Sequence, residues 1–144
     1  MPTGLLDPEE DIPDAAAREL LEETGLDGTM EGIVCFRQAH SPSRSSDLFF
    51  VCRMDLKDPD NASNWHPQED EIADIKWMKV EEYCNQDRWK GSPVYESLND
   101  SILKASLVAQ EKAGFRNNPS GMIIHQQLPL GFGRGTNALF RSQL

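Results

Sequence analysis

At 144 residues with 38% hydrophobic side chains, the chain suits one domain with a modest core. Its net charge of -10, from 24 acidic against 14 basic residues, argues against a broad basic surface for nucleic acid or anionic membranes, and a phosphate-bearing ligand would need a cation held by the carboxylates. Cys35, Cys52 and Cys84 lack the spacing of a disulfide framework or zinc site, and neither a leader at Met1 to Asp7 nor a span of about 20 apolar residues is seen, so an intracellular, cytoplasmic protein is expected.

The first element is a helix entered at Asp11, with Pro13 in its first turn, running through Ala15-Ala16-Ala17 to Glu23 and stopped by Thr24-Gly25. After a turn at Asp27-Gly28, Gly32 to Gln38 and Asp47 to Met54 read as strands, separated by the polar loop Ser41 to Ser46. A second polar loop, Lys57 to Pro67, leads to Ile72 to Met78, where alternation at Ile75 and Trp77 predicts a third strand. Val80 to Asn85 predicts a short helix. Val94 to Lys112, apolar at Leu98, Ile102, Leu103 and Ala105 or Leu107, predicts a longer amphipathic one ended by Gly114. The expected organisation is therefore a domain over 1–113 and a tail over 114–144, rich in Gly, Asn, Gln and Pro, whose composition suits partial disorder.

One stretch carries chemistry. Gly4, five residues, Glu10, seven residues, then Arg18-Glu19-Leu20-Leu21-Glu22-Glu23-Thr24-Gly25-Leu26 form a block of fixed spacing. At about 100° per residue, Glu19, Glu22 and Glu23 fall within an arc of roughly 100° on the helix. Ala17, Leu20 and Leu21 are expected to form the apolar stripe that packs on a sheet. Three neighbouring carboxylates repel one another unless something positive neutralises them, and a hard, oxygen-seeking cation such as Mg2+ or Mn2+ meets that need. The competing reading is a solvated acidic helix face, the usual fate of a charge run. It leaves the preceding Gly4 to Glu10 loop and the Gly25 stop unexplained.

In this block the chain resembles the Nudix hydrolases, which cleave a pyrophosphate bond in nucleoside diphosphates linked to another group. The resemblance implies an α/β fold, an α/β/α sandwich with a mixed sheet. It makes Glu19, Glu22 and Glu23 metal ligands, brings in Glu10 through a metal-bound water, adds the Thr3 carbonyl, and has Arg18 orient Glu19. Phe36 to His40, Ser46 to Cys52, Gln68 to Ile72 and Lys76 to Met78 with Glu81-Glu82-Tyr83 resemble a narrower subfamily. It includes plant ADP-ribose and NADH pyrophosphatases and the animal protein encoded antisense to basic fibroblast growth factor.

The general base has three candidates in Glu19, Glu69 and Glu71, with Glu71 preferred. Arg37 and His40 are candidate contacts to a diphosphate, since the forked guanidinium suits phosphate oxygens. For each, a surface role is the plainer alternative. Trp77 and Phe49 are candidates for stacking an adenine, although core packing is the better expectation for aromatics on strands. Family members carry two or three strands before the block, whereas here only Met1-Pro2-Thr3 precede Gly4, so the first strands are expected to be lacking. A fragment is the favoured account; the others are a partner chain, such as a second copy in a homodimer, or the tail filling the gap. The leading function is metal-dependent hydrolysis of a small nucleotide such as ADP-ribose or NADH, with neither nucleic acid nor membrane as partner. Diphosphoinositol or dinucleoside polyphosphate hydrolysis suits the acidic chain less, and the alternative of another class is a catalytically idle regulatory or interaction protein.

Overall fold

The computed structural model describes residues 1–40, 46–68, 72–111, 123–129 and 136–142, with side chains as far as residue 107. Helix α1, Ile12–Thr24, begins after Asp11, whose extended backbone (φ -82°, ψ 151°) lets the chain turn into the helix. The Asp11 carbonyl accepts the N–H groups of Asp14 and Ala15, each at 3.0 Å. Its side chain makes no cap hydrogen bond, and Pro13 sits in the first turn, where a missing N–H costs nothing. At the other end Gly25 adopts the left-handed conformation (φ 72°) and donates to the Leu21 carbonyl at 2.7 Å.

The chain then forms β1, Gly28–His40, and β2, Ser46–Leu56, both longer than the sequence pattern predicts. A short helix follows, α2 at Val80–Cys84, and after a turn a longer one, α3 at Pro93–Glu111. Strands β3, Ile123–Pro129, and β4, Thr136–Ser142, complete a four-stranded sheet of order β2-β1-β4-β3. Strand β4 is antiparallel to β1, with Cys35 opposite Arg141 and Gln38 opposite Ala138, and antiparallel to β3. The chain thus has the α/β character expected. Strands β3 and β4 lie where no pattern selected an element, since their Gln, Asn and Pro residues hide the alternation and β1, the strand that β4 joins, is remote in sequence.

The described chain divides into two compact units, one of residues Met1–Gly32 with Cys52–Trp77 and another of Ile33–Val51 with Met78–Leu144. In the first unit, Ala15, Thr24 and Leu26 are buried, and Leu20 lies against Gly28. A methyl group at Gly28 would meet Leu20 Cδ2 at 2.7 Å and the Asp55 carbonyl oxygen at 3.0 Å, so β1 starts at a residue without a side chain. Leu21 is 50% exposed, which corrects the expected apolar stripe. Leu20 and Leu21 point about 100° apart on a helix, and the one that meets Gly28 turns the other outward.

The loop after β2 folds back onto α1. The Lys57 N–H reaches the Asp27 carbonyl at 3.0 Å, the Lys57 ammonium pairs with Asp27 at 2.8 Å, and the His66 N–H reaches the Thr24 carbonyl at 2.7 Å. Ile72 to Met78, expected as a strand, has no regular structure. Its first N–H is spent on the Gln68 carbonyl at 2.9 Å, and alternation without a pairing neighbour does not make a strand.

In the second unit a core forms from Cys35, Val51, Val94 and Leu98, with Val34, Phe49, Tyr95 and Ile102 packed against it. Burial of an aliphatic side chain such as Leu98 contributes about 1.5 to 3 kcal/mol. The Glu96 carboxylate accepts the Gly91 N–H at 2.9 Å and closes the entry to α3. Asn99, buried on α3, donates to the Cys84 carbonyl at 3.2 Å and ties α2 down. No helix among the described residues is long and apolar enough to cross a membrane.

Candidate active site

The site is built around one arginine. Arg18, in the second turn of α1, donates from Nε to Glu10 Oε1 and from Nη2 to Glu10 Oε2, both at 2.8 Å. Its Nη1 reaches Glu19 at 2.7 Å and Glu22 at 3.1 Å, and Nη2 also reaches the Leu5 carbonyl at 3.0 Å. A planar fork of fixed donors takes one carboxylate side-on and still has hydrogens for two others, which an ammonium could not do in the same geometry.

The loop before the helix is shaped to deliver these groups. Glu10 donates its N–H to the Asp7 carbonyl at 3.1 Å, closing a turn over Pro8 and Glu9. Glu9 carries the positive φ (68°) that the third position of such a turn requires. The Asp7 N–H in turn donates to Glu10 Oε2 at 2.9 Å. Held first by the Arg18 side chain and then by the Asp7 backbone, the Glu10 carboxyl is pulled down to about 2, from an ordinary value of 4.5. The same contacts, Glu10 foremost and then Glu19, push the Arg18 guanidinium still further above its usual range.

Two more features fix the carboxylates. The Thr3 N–H donates to Glu23 Oε2 at 3.1 Å, so the strand of chain before Gly4 lies along the last turn of α1. At Gly4 a side chain would fall directly on the Glu19 carboxylate and push it aside, so glycine leaves that carboxylate its place beside the loop. Glu19 is thereby kept 18% exposed, whereas Glu22 is 52% exposed. Glu10, Arg18, Glu19 and Glu22 are brought together by direct contacts, and Glu23 is placed by the backbone of Thr3. The expected ligand at Thr3 was its carbonyl; the contact that forms uses its N–H.

Among the described residues no three carboxylate, imidazole or thiol groups converge as a metal-holding cluster, because Arg18 stands between Glu10, Glu19 and Glu22. The donor set nevertheless suits a hard divalent cation. It offers only oxygen ligands, several of them ionised, already gathered around a positive charge on a rigid helix.

The other sequence-predicted residues belong to other segments of the chain. Arg37 and His40 are on β1, Arg37 within the second unit's core-facing row two positions after Cys35. Arg37 Nη2 meets Asp47 at 3.3 Å, its guanidinium lies 5.3 Å from the Phe49 ring centroid, and its buried Nε has no hydrogen-bond partner among the described residues. His40 Nδ1 shares a hydrogen bond of 3.1 Å with the Ser46 hydroxyl. Glu69 and Glu71 fall outside the described residues. Phe49 packs on the core as expected, but Trp77 does not: it is 61% exposed, with its indole N–H on the Ala62 carbonyl at 2.7 Å.

An α/β chain whose glycine-led loop and acidic helix are bound together by one arginine is the architecture of a Nudix box, and comparison with known proteins agrees. The NUDIX domain family model matches residues 1–98. Nudix hydrolase 2 of Arabidopsis thaliana is 46% identical over 87 residues, covering 59% of this chain and 30% of its own length. Nudix hydrolase 7 of the same plant is 35% identical over 122 residues, 83% of this chain and 41% of its own. The human protein called nucleoside diphosphate-linked moiety X motif 6 is 41% identical over 56 residues, 37% of this chain and 18% of its own. The chain belongs to the Nudix family, and it spans less than half the length of these relatives.

Proposed function

We propose that this chain hydrolyses the pyrophosphate bond of nucleoside diphosphate derivatives, ADP-ribose or NADH among them, with Mg2+ or Mn2+ as cofactor. The observation that carries the proposal is the gathering of Glu10, Glu19 and Glu22 on Arg18, with Glu23 set beside them by Thr3. An acidic chain has no broad basic surface for a diphosphate, and a metal held by Glu19, Glu22 and Glu23 would polarise the phosphoryl group and acidify a water. Water adds across the P–O–P bridge, one P–O bond forming as the other breaks, and two phosphate monoesters leave. Arg18 keeps Glu19 oriented through their 2.7 Å contact, and Glu10 keeps Arg18 in place by holding two of its nitrogens.

In this reading Glu71 takes the proton from the attacking water, with Glu19 and Glu69 as the other candidates. Arg37 and His40 contact the substrate, a role that the unpartnered Arg37 Nε supports, since a buried donor without an acceptor costs about 1 to 3 kcal/mol until something accepts it. The test is release of AMP from ADP-ribose or NADH by purified protein, together with calorimetric uptake of Mg2+ or Mn2+. Chelation and Glu22→Gln are each expected to abolish release. Full activity of the Glu22→Gln protein would overturn the proposal, and folded protein inert toward every nucleoside diphosphate derivative would favour an interaction role instead.

A further inference from the structure

We infer that Trp77 is the surface on which the substrate's aromatic base stacks, an inference that rests on the proposed reading of the site as one for nucleoside diphosphate derivatives. Trp77 is exposed by 61% and yet does not hang free, because its indole N–H is committed to the Ala62 carbonyl at 2.7 Å. That bond fixes the ring before any ligand arrives, so little side-chain freedom is left to lose on binding. A large ring whose polar edge is tied to the backbone while most of its surface stays open is the amphipathic arrangement that aromatic contact sites use.

The position within the first unit is what makes a base the fitting occupant. Ala62, which anchors the indole, is four residues before His66, whose N–H is bound to the Thr24 carbonyl at the end of α1. Four residues reach no further than about 14 Å when fully extended, and the Asn64 N–H to Asn61 carbonyl bond of 2.9 Å curls this stretch tighter. The ring is therefore leashed to the helix end that bears Glu22 and Glu23, with the exposed His66 between them on the same loop. Charge points the same way. In a chain of net charge -10, contact with a neutral base adds affinity that the overall field does not oppose, unlike contact with the phosphates. Stacking is also tolerant of base identity, because every base presents a π face.

The experiment compares binding of AMP and of ribose 5-phosphate, which lacks the base, to the folded chain, with ADP-ribose hydrolysis followed in parallel. Trp77→Ala is expected to weaken AMP binding about 5- to 100-fold while leaving ribose 5-phosphate unchanged, and to raise KM for ADP-ribose at near-constant kcat. Trp77→Phe, which keeps a ring but loses the indole N–H, is expected to recover most of the loss. Trp77→Leu keeps apolar bulk without a π face and should behave as alanine does, which covers the case of an alanine variant that fails to fold. Quenching of tryptophan fluorescence by AMP should be strong in the starting protein and largely gone in Trp77→Phe. Equal losses for both ligands, or none for either, would overturn the inference. Base-dependent binding through Trp77 in a protein that hydrolyses nothing would uphold it while removing the proposed activity.

Discussion

Gly25 is the point at which the acidic helix must end, and replacing it tests how firmly that end is set. Its φ of 72° is open to glycine but costs an L-residue with a Cβ about 1 to 2 kcal/mol. A Cβ there would also sit 3.3 Å from the His66 backbone nitrogen, a tight contact with a group that is itself fixed on Thr24 and cannot easily yield. Against this, Gly25→Ala reduces the freedom of the unfolded chain, which returns about 0.4 to 1 kcal/mol. The expected net loss is about 1 kcal/mol, or about 2 to 4 °C in Tm for a chain of this size. Gly25→Asn should lose less, because asparagine tolerates the left-handed region better than alanine. Thermal melts followed by far-ultraviolet circular dichroism decide the matter. A Tm for Gly25→Ala equal to or above that of the starting protein, or asparagine melting below alanine, would refute the assignment of this residue as the helix's left-handed terminus.

Three further outcomes are expected. Because Glu10 titrates near 2 in the folded chain against 4.5 ordinarily, the stability it contributes is complete above about pH 4.5 and is lost as the pH falls through 2. Melts from pH 7 to pH 2 should show this fall, and Glu10→Gln should flatten that part of the profile; an unchanged profile would contradict the pairing. Leu98→Ala, in the core with Cys35, Val51 and Val94, should cost about 2 to 5 kcal/mol by urea denaturation. Arg37→Lys keeps the charge but loses the fork and the Nε donor, and under the proposed function it should raise KM for ADP-ribose about 10-fold, the scale of one charged hydrogen bond; an unaltered KM would leave Arg37 as a partner of Asp47 and Phe49 only.

The elements legible in the sequence were those whose cause is local. Helix α1 announced itself through Pro13, the alanine run and Gly25, because capping and left-handed termination are written in adjacent residues. Helix α3 is legible through the helical spacing of Leu98, Ile102 and Ala105, which is also local. What misled was periodicity without knowledge of a neighbour. Ile72 to Met78 alternates as a strand does but has its first N–H turned back to Gln68, whereas β3 and β4 have poor patterns and pair all the same, β3 with β4 and β4 with β1 from about a hundred residues upstream. Trp77 is exposed for the same reason, since the burial expected of it depends on a strand that does not form.

The box was readable because nearly every contact in it spans few residues. Arg18 reaches back eight positions to Glu10 and forward one and four to Glu19 and Glu22, so helix geometry and one short loop determine the constellation. Spacing alone did not disclose what Arg18 does with its hydrogens. Helix spacing puts Glu19, Glu22 and Glu23 on one face and calls for a positive charge there, and in the folded chain Arg18, the residue next to Glu19, supplies one to Glu19 and Glu22. The pairing is uneven. Glu10 uses both oxygens on Arg18 and one of them on the Asp7 N–H as well, while the more exposed Glu22 is held through a single 3.1 Å contact. Exposed ion pairs of this kind contribute little to stability, so Glu22 can exchange Arg18 for another cation at small cost, whereas Glu10 would have to surrender three hydrogen bonds. Under the proposed function the two glutamates would therefore serve different ends, Glu10 holding the arginine and Glu22 remaining available to a ligand.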